Sequence, residues 1–367
     1  MPPFSLPAHI ANLPAYTPIE PFEVLSARIG RAPAEIIKLD ANENPYGMSP
    51  RARQALGEME FPHIYPDPES RALRTALTNF CGAPFENLLP GSGADELIDL
   101  IMRVILAPGD AIINCPPTFG MYAFDADLNA ARVIEVPRRA DFSLDVPGIC
   151  SAVEKHGARL VFLTSPNNPD GSLIDPADLQ RLLELPALIV LDEAYIEFAD
   201  PAGLGRNLSQ ITNVAGRENL AVLRTFSKLA GLAGLRVGYG AFPTWLMPSL
   251  WKAKQPYNVN VAGSTAAIAA LQDTDYLRKT VSVLVSERER LMSALRDIPG
   301  LHPYASHANF ILCQVNGRDA AQLKADLASQ AGIFIRYFNK PGLTDCVRIS
   351  IGKPQQTDAL LTALKRF

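Results

Sequence analysis

Lys228 lies in Thr225-Phe226-Ser227-Lys228-Leu229-Ala230-Gly231-Leu232-Ala233-Gly234-Leu235-Arg236, directly after a short apolar run. A lysine amine forms a Schiff base with a carbonyl compound once a neighbouring cation or burial lowers its pKa from about 10.4. Ser227, Thr225 and Arg236 add two hydroxyls and a guanidinium, the donors that hold a phosphate dianion beside an amine. Asp192 follows the apolar run 187–191, with Glu193 and Tyr195 behind it, so its carboxylate is offered at the edge of a buried sheet. A carboxylate there keeps a pyridinium nitrogen protonated and makes its ring the electron sink that carbanion chemistry requires. Taken singly, each has a plainer reading: Lys228 as a surface lysine on a loop, Asp192 as a turn cap.

Other segments add polar and aromatic groups. Asn167-Asn168, held between Pro166 and Pro169, presents amide side chains or is a simple turn. Asn168 and Tyr195 are both suited to hydrogen-bond a phenolate oxygen on such a ring. Gly91-Ser92-Gly93-Ala94-Asp95-Glu96 precedes the amphipathic Leu97, Ile98, Ile101, Val104 and Ile105, so Ser92 to Asp95 open a helix whose free N–H groups suit phosphate. Ser92 with Asp95 equally fits an N-terminal capping box. Phe119 and Tyr122, after Pro116-Pro117, offer faces for stacking on a planar ring, or are core side chains. Arg336 and Arg348 interrupt strand-like apolar text, which marks either inward anion-binding guanidiniums or edge charges. His9, His63, His156, His302 and His307 show no metal spacing, and there is no HExxH or paired-cysteine pattern.

Holding these groups together takes a scaffold of βα units. Short apolar runs at 111–115, 132–136, 160–163, 187–191, 221–223 and 237–241 alternate with helix-like stretches, which predicts a parallel sheet covered on both faces. Ligands bind beyond the carboxyl ends of such strands, so the loops at 116–118, 165–169, 192–193 and 225–228 should converge on one site. From 262 to 295 apolar residues recur at spacings of three and four, predicting a helix or helix pair. Strand-like 309–315 and 346–351 around helix-like 320–330 predict a small α+β domain. The expected division is a 1–40 segment packing on the small domain, a large domain at 41–260, connecting helices at 261–295 and a small domain at 296–367.

Composition narrows the class. A chain of 367 residues, 48% hydrophobic and 20% charged, is globular rather than disordered, and a net charge of −4 gives no positive field for nucleic acid or an anionic membrane. Cys81, Cys115, Cys150, Cys313 and Cys346 are odd in number and widely spaced, which reads as reduced, cytosolic thiol. No Lys or Arg precedes Arg28, and Pro2, Pro3, Pro7, Pro14 and Pro18 interrupt the N-terminus, so no secretory leader is expected. Arg103 and Pro108 break the longest helix-like apolar run, so no membrane span is expected.

Taken in order along nearly the whole chain, several strings resemble the aspartate aminotransferase fold family of pyridoxal-phosphate enzymes, and within it the histidinol-phosphate aminotransferases. They are Leu39-Asp40-Ala41-Asn42-Glu43-Asn44-Pro45, Tyr65-Pro66-Asp67, Gly93-Ala94-Asp95-Glu96, Pro116-Pro117-Thr118-Phe119-Gly120-Met121-Tyr122, residues 165–169, Asp192-Glu193-Ala194-Tyr195-Ile196-Glu197-Phe198, Ser227-Lys228 and Pro256-Tyr257-Asn258-Val259-Asn260. The resemblance implies an α/β fold of type I for this cofactor class, with a mostly parallel sheet in a large domain and a smaller α+β domain. It implies pyridoxal 5'-phosphate as cofactor and a cytoplasmic homodimer with shared active sites. The implied reaction is amino transfer in histidine biosynthesis, between glutamate or 2-oxoglutarate and histidinol phosphate or imidazole-acetol phosphate. Lys228 would bind the cofactor covalently and serve as base and acid; Asp192 would meet the ring nitrogen, Asn168 and Tyr195 the ring oxygen, and Phe119 the ring face. Gly93, Ala94, Asp95, Thr225, Ser227 and Arg236 would surround the cofactor phosphate, with Tyr65 reaching it from the neighbouring subunit. Tyr16, Asn42, Tyr257, Asn309, Arg336 and Arg348 would line the substrate pocket.

Two departures stand out: Asp170-Gly171 replaces the usual Thr-Gly after the Asn-Asn-Pro string, placing a carboxylate near the site rim, and Leu229-Ala230 replaces an alanine and an aromatic residue. Rival readings within the family are an aromatic or broad-specificity aminotransferase and a threonine-phosphate decarboxylase. Outside it stand a nucleotide-binding protein, suggested by Gly91-Ser92-Gly93, and a non-catalytic interaction module.

Overall fold

A computed structural model describes residues 4–15 and 20–366. Within them twelve strands form two sheets: β1 Ile37–Leu39, β2 Leu88–Gly91, β3 Ala111–Asn114, β4 Arg132–Glu135, β5 Leu160–Thr164, β6 Leu188–Asp192, β7 Leu220–Thr225, β8 Gly238–Ala241, β9 Leu301–Pro303, β10 Phe310–Val315, β11 Ile333–Tyr337 and β12 Cys346–Ser350. The larger sheet has the order β2-β8-β7-β6-β5-β3-β4. Its pairings from β4 to β7 are parallel, while β8 runs against both β7 and β2.

The six apolar runs therefore become strands of one sheet, although the last of them, β8, is antiparallel. Side chains alternate between two cores. Val161, Leu163, Ile189, Leu191 and Val222 enter one, and Leu160, Phe162, Leu188, Val190 and Leu223 the other. Burial on both faces is why these strands read as unbroken apolar text. β2 went unlisted in the sequence because Leu88-Leu89-Pro90-Gly91 is short and contains a proline. It is an edge strand, where a missing N–H is tolerated. The Gly91-Ser92-Gly93 turn thus follows an edge strand whose only sheet partner is antiparallel, not the first strand of a parallel βαβ unit, and the dinucleotide reading fails.

The 262–295 pattern is a pair of helices, Val261–Leu271 and Thr274–Arg296. Arg288 on the second donates to the carbonyls of Phe198 and Ala308, at 3.2 and 3.0 Å, and so ties the two sheets' surroundings together. The smaller sheet has the order β1-β11-β12-β10-β9, with β1 parallel to β11 and the remaining pairs antiparallel.

The N-terminal segment divides. Leu25 of helix Phe22–Ile29 packs with Ile36 and Phe334 beside the smaller sheet. The turn Ala8–Ala11 lies instead against helix Met121–Leu128 of the larger one. Ala8–Ala11 buries no residue of its own.

Candidate active site

The carboxyl ends of β5, β6 and β7 carry the first group of side chains. Thr164 and Asp192 are register partners on neighbouring strands. Asp192 accepts hydrogen bonds from the Tyr122 hydroxyl at 2.7 Å and the Ala194 N–H at 2.9 Å. Burial pushes its carboxyl up to about 6 despite those bonds. The Tyr122 ring stacks on Phe162 at 5.0 Å and meets Phe119 edge-on at 5.5 Å, so the acid and the aromatic face share one support.

Lys228 sits on the single turn Phe226–Leu229 that starts as β7 ends. Thr225 caps that turn, its Oγ1 accepting the Ser227 N–H at 3.1 Å and donating to Ser227 Oγ at 3.0 Å. The Lys228 Nζ donates to the Ala41 carbonyl at 2.9 Å. Desolvation first, and the Arg348 guanidinium second, lower its amine to about 8. Such an amine has a substantial neutral fraction near neutral pH, the form that attacks a carbonyl carbon. A cavity of about 380 Å³ borders Ser227, Gly231, Lys38, Glu43 and Asn44, so this loop faces open volume on one side.

Helix Ala94–Ile105 points its first turn at the same region. Gly93 precedes it at φ +81, and a Cβ on Gly238 of β8 would collide with the Gly93 and Ala94 backbone, so the helix start sits hard against the sheet. The capping box expected of Ser92 and Asp95 does not form. The Ser92 N–H donates to Glu96 instead, and Asp95 pairs with Arg236 at 2.8 Å. Arg236 holds φ +53, Asn42 +55 and Tyr257 +58. Strained backbone of this kind gathers where surrounding structure must hold a side chain in place.

The second group lies where the chain passes from β1 into the larger domain. Asn42 donates through its amide to the Tyr195 hydroxyl at 3.1 Å and through its backbone to Ser350 Oγ at 2.8 Å, and its carbonyl accepts from the Asn309 amide at 2.9 Å. Arg348 donates to Asn168 Oδ1 at 2.5 Å and to the Asp40 carbonyl at 2.7 Å. Residues 40–42 thus touch Arg348, Lys228 and Tyr195 in succession. Burial raises the Tyr195 hydroxyl, with Arg348 opposing. Arg336 is the register partner of Arg348, and both guanidiniums lie over Phe338, at 5.7 and 5.5 Å. Two like charges on one sheet face make a ready anion site.

Lys228, Asp192, Asn168, Tyr195, Thr225, Ser227, Phe119, Asn42, Asn309 and Arg348 are therefore linked through shared neighbours, as are Gly93, Ala94, Asp95 and Arg236. Tyr65 stands apart: it is 79% exposed and stacks on Tyr257 at 4.6 Å. Tyr16 lies outside the described residues. Asp170 is not at a rim; it is buried, accepts the Ser172 N–H at 2.9 Å and the Asn167 amide, and locks the loop beneath Asn168. Asn167 also donates to the Pro117 carbonyl and accepts from Thr118, both at 3.0 Å, so the loops bearing Asn168 and Phe119 are joined. Sequence reasoning missed the roles of Thr164, Ser350 and the Tyr122 hydroxyl. The available signal was position: Thr164 ends a buried strand, as Asp192 does, and Tyr122 follows Phe119 by three residues.

Among the described residues no metal-binding cluster occurs, and no helix is long and apolar enough to cross a membrane. The model of the aminotransferase class I and II family matches residues 34–364. A chloroplastic histidinol-phosphate aminotransferase of Nicotiana tabacum is 56% identical over 98% of this chain and 86% of its own. A histidinol-phosphate aminotransferase of Roseiflexus castenholzii is 53% identical over 97% of this chain and 96% of its own. Among solved structures, histidinol-phosphate aminotransferase from Sinorhizobium meliloti, in complex with pyridoxal-5'-phosphate, superposes with a TM-score of 0.89 at 31% identity, covering 100% of this chain and 97% of that one.

Proposed function

The chain belongs to the class I and II aminotransferase family, and on that premise we propose that it is a pyridoxal-phosphate-dependent transaminase exchanging an amino group between glutamate and histidinol phosphate. The observation that carries the reading is an amine lowered to about 8 at the end of one strand while a buried acid ends the next. The residues present suit the cofactor. Asp192 is a buried carboxylate whose charged form needs a cationic partner, which a pyridinium nitrogen supplies. Thr225, Ser227, Arg236 and the first turn after Gly93 offer hydroxyl, guanidinium and N–H donors for a phosphate. Phe119 offers a ring face, and Asn168 with Tyr195 offers donors for a ring oxygen.

The cofactor supplies an electron sink that acidifies the substrate's Cα–H bond. With the cofactor bound, Lys228 Nζ would be the base that removes the substrate's Cα proton and the acid that returns it, a task suited to a pKa near the working pH. The Ala41 carbonyl accepts from the free Lys228 amine. Arg348 holds the substrate's anionic group and, by its charge, keeps Lys228 from binding a proton too tightly. Tyr195, Asn42 and Asn309, all buried, keep bulk water from the far side.

The same proposal includes a cytoplasmic homodimer with Tyr65 completing the partner's site. Its support is the exposed stack of Tyr65 on Tyr257 and five free thiols. Purified protein should be yellow, and borohydride should bleach it and leave the cofactor mass on the peptide containing Lys228. With glutamate as donor, imidazole-acetol phosphate should be aminated. Release of carbon dioxide from a phosphorylated amino acid without amino transfer would overturn the reading in favour of a decarboxylase.

A further inference from the structure

The loop 338–345 between β11 and β12 carries a cation that the proposed chemistry leaves unused. Lys340 begins a tight turn in which the Leu343 N–H donates to the Lys340 carbonyl at 3.0 Å and Gly342 holds φ +76. Phe338 and Leu343 anchor the loop by packing with Phe142, Leu312 and Cys346. From this fixed base the side chain crosses to the larger sheet. Its Nζ lies 3.7 Å from where a Cβ on Gly120 would stand, one residue past Phe119. Lys340 is exposed, and no hydrogen bond or ion pair compensates it among the described residues.

Arg336 and Arg348 lie over Phe338, and Phe338 starts the same loop, two residues before Lys340. Arg348 already donates to Asn168 and to the Asp40 carbonyl. A carboxylate carries one charge and is satisfied by one planar guanidinium. A phosphate monoester carries about −1.5 to −2 at pH 7, with three acceptor oxygens, and has use for a further donor. We infer that Lys340 is a specificity residue: its ammonium joins Arg336 and Arg348 at the anion end and favours a phosphorylated substrate over a dicarboxylate one. This rests on the transaminase reading above.

The experiment compares holoenzyme with Lys340→Ala and Lys340→Arg, measuring kcat/KM for histidinol phosphate and for glutamate, and titrating inorganic phosphate calorimetrically. Lys340→Ala should lower kcat/KM for histidinol phosphate about tenfold more than for glutamate, the size of one charge-assisted hydrogen bond. It should also weaken phosphate binding by a similar factor, and Lys340→Arg should restore most of both. Equal losses for the two substrates, or unchanged phosphate affinity, would overturn the assignment. If wild-type enzyme transaminates glutamate but not histidinol phosphate, the functional reading fails first, whereas an effect of Lys340→Ala on phosphate titration remains separately visible.

Discussion

The end of the larger sheet and the face of the smaller one meet at residues 40–42, yet they handle charge in opposite ways. At the larger sheet every charged group near the reacting centre has a close partner: Asp192 with Tyr122 and the Ala194 N–H, Arg236 with Asp95, and, deeper, Arg224 with Glu197 at 2.6 Å. At the smaller sheet Arg336 and Arg348 face each other across β11 and β12, so two like charges share one face. Paired groups set positions and pKa values before any ligand arrives, whereas neighbouring like charges favour an anion between them. A reaction that keeps one cofactor and alternates two substrates fits that division.

The sharpest way to break the larger sheet's end is Lys228→Ala, which should cut kcat by a thousandfold or more, as expected when a nucleophile that is also the base is lost. Circular dichroism should show the fold retained, since the half-buried amine makes only the Ala41 bond. Glu197→Ala attacks the same region through stability. It strands the fully buried Arg224 and should cost about 3–5 kcal/mol in denaturant unfolding; a loss below about 1 kcal/mol would mean that Arg224 finds another partner. Arg348→Ala tests the smaller sheet's face and should raise KM for anionic substrates by about 1.5–3 kcal/mol in free-energy terms. It should also shift the Lys228 titration upward, because Arg348 is one of the groups lowering it.

The smallest effect is a pH dependence. With the folded-state pKa lowered to about 8, the neutral Lys228 amine grows roughly tenfold between pH 7 and 9. Reductive labelling of cofactor-free protein with an aldehyde should accelerate by that factor over this window. A flat rate would show that Arg348 and burial leave the amine unprotonated throughout.

The contrast between the two regions also explains what could be read from letters alone. Runs such as 160–163 and 187–191 were legible because both faces of a central strand are buried, leaving no polar residue to blur the pattern. Asp192 was legible because it ends such a strand, and Lys228 because it lies in the turn that follows one. The short edge strand β2 was not, since its Pro90 and four-residue length carry a loop's signature. Asp170 was read as a rim carboxylate, but a buried turn needed an acceptor for the Asn167 amide and the Ser172 N–H, a requirement visible only in space. The strained φ of Arg236 and Tyr257 likewise has no local marker, because neither residue type favours that region.

By itself the amino-acid sequence determined the βα succession, the polar loops that must gather at one sheet edge, and the identity of the amine and the acid. These follow from hydrophobic periodicity and from side-chain chemistry, which are local properties. Only the tertiary structure decided that β1 joins the distant sheet and sends residues 40–42 past Lys228, Arg348 and Tyr195. It also decided that Arg336 faces Arg348. Such juxtapositions join segments up to about 300 residues apart, and they arise from packing two sheets together, a long-range outcome that local periodicity does not encode.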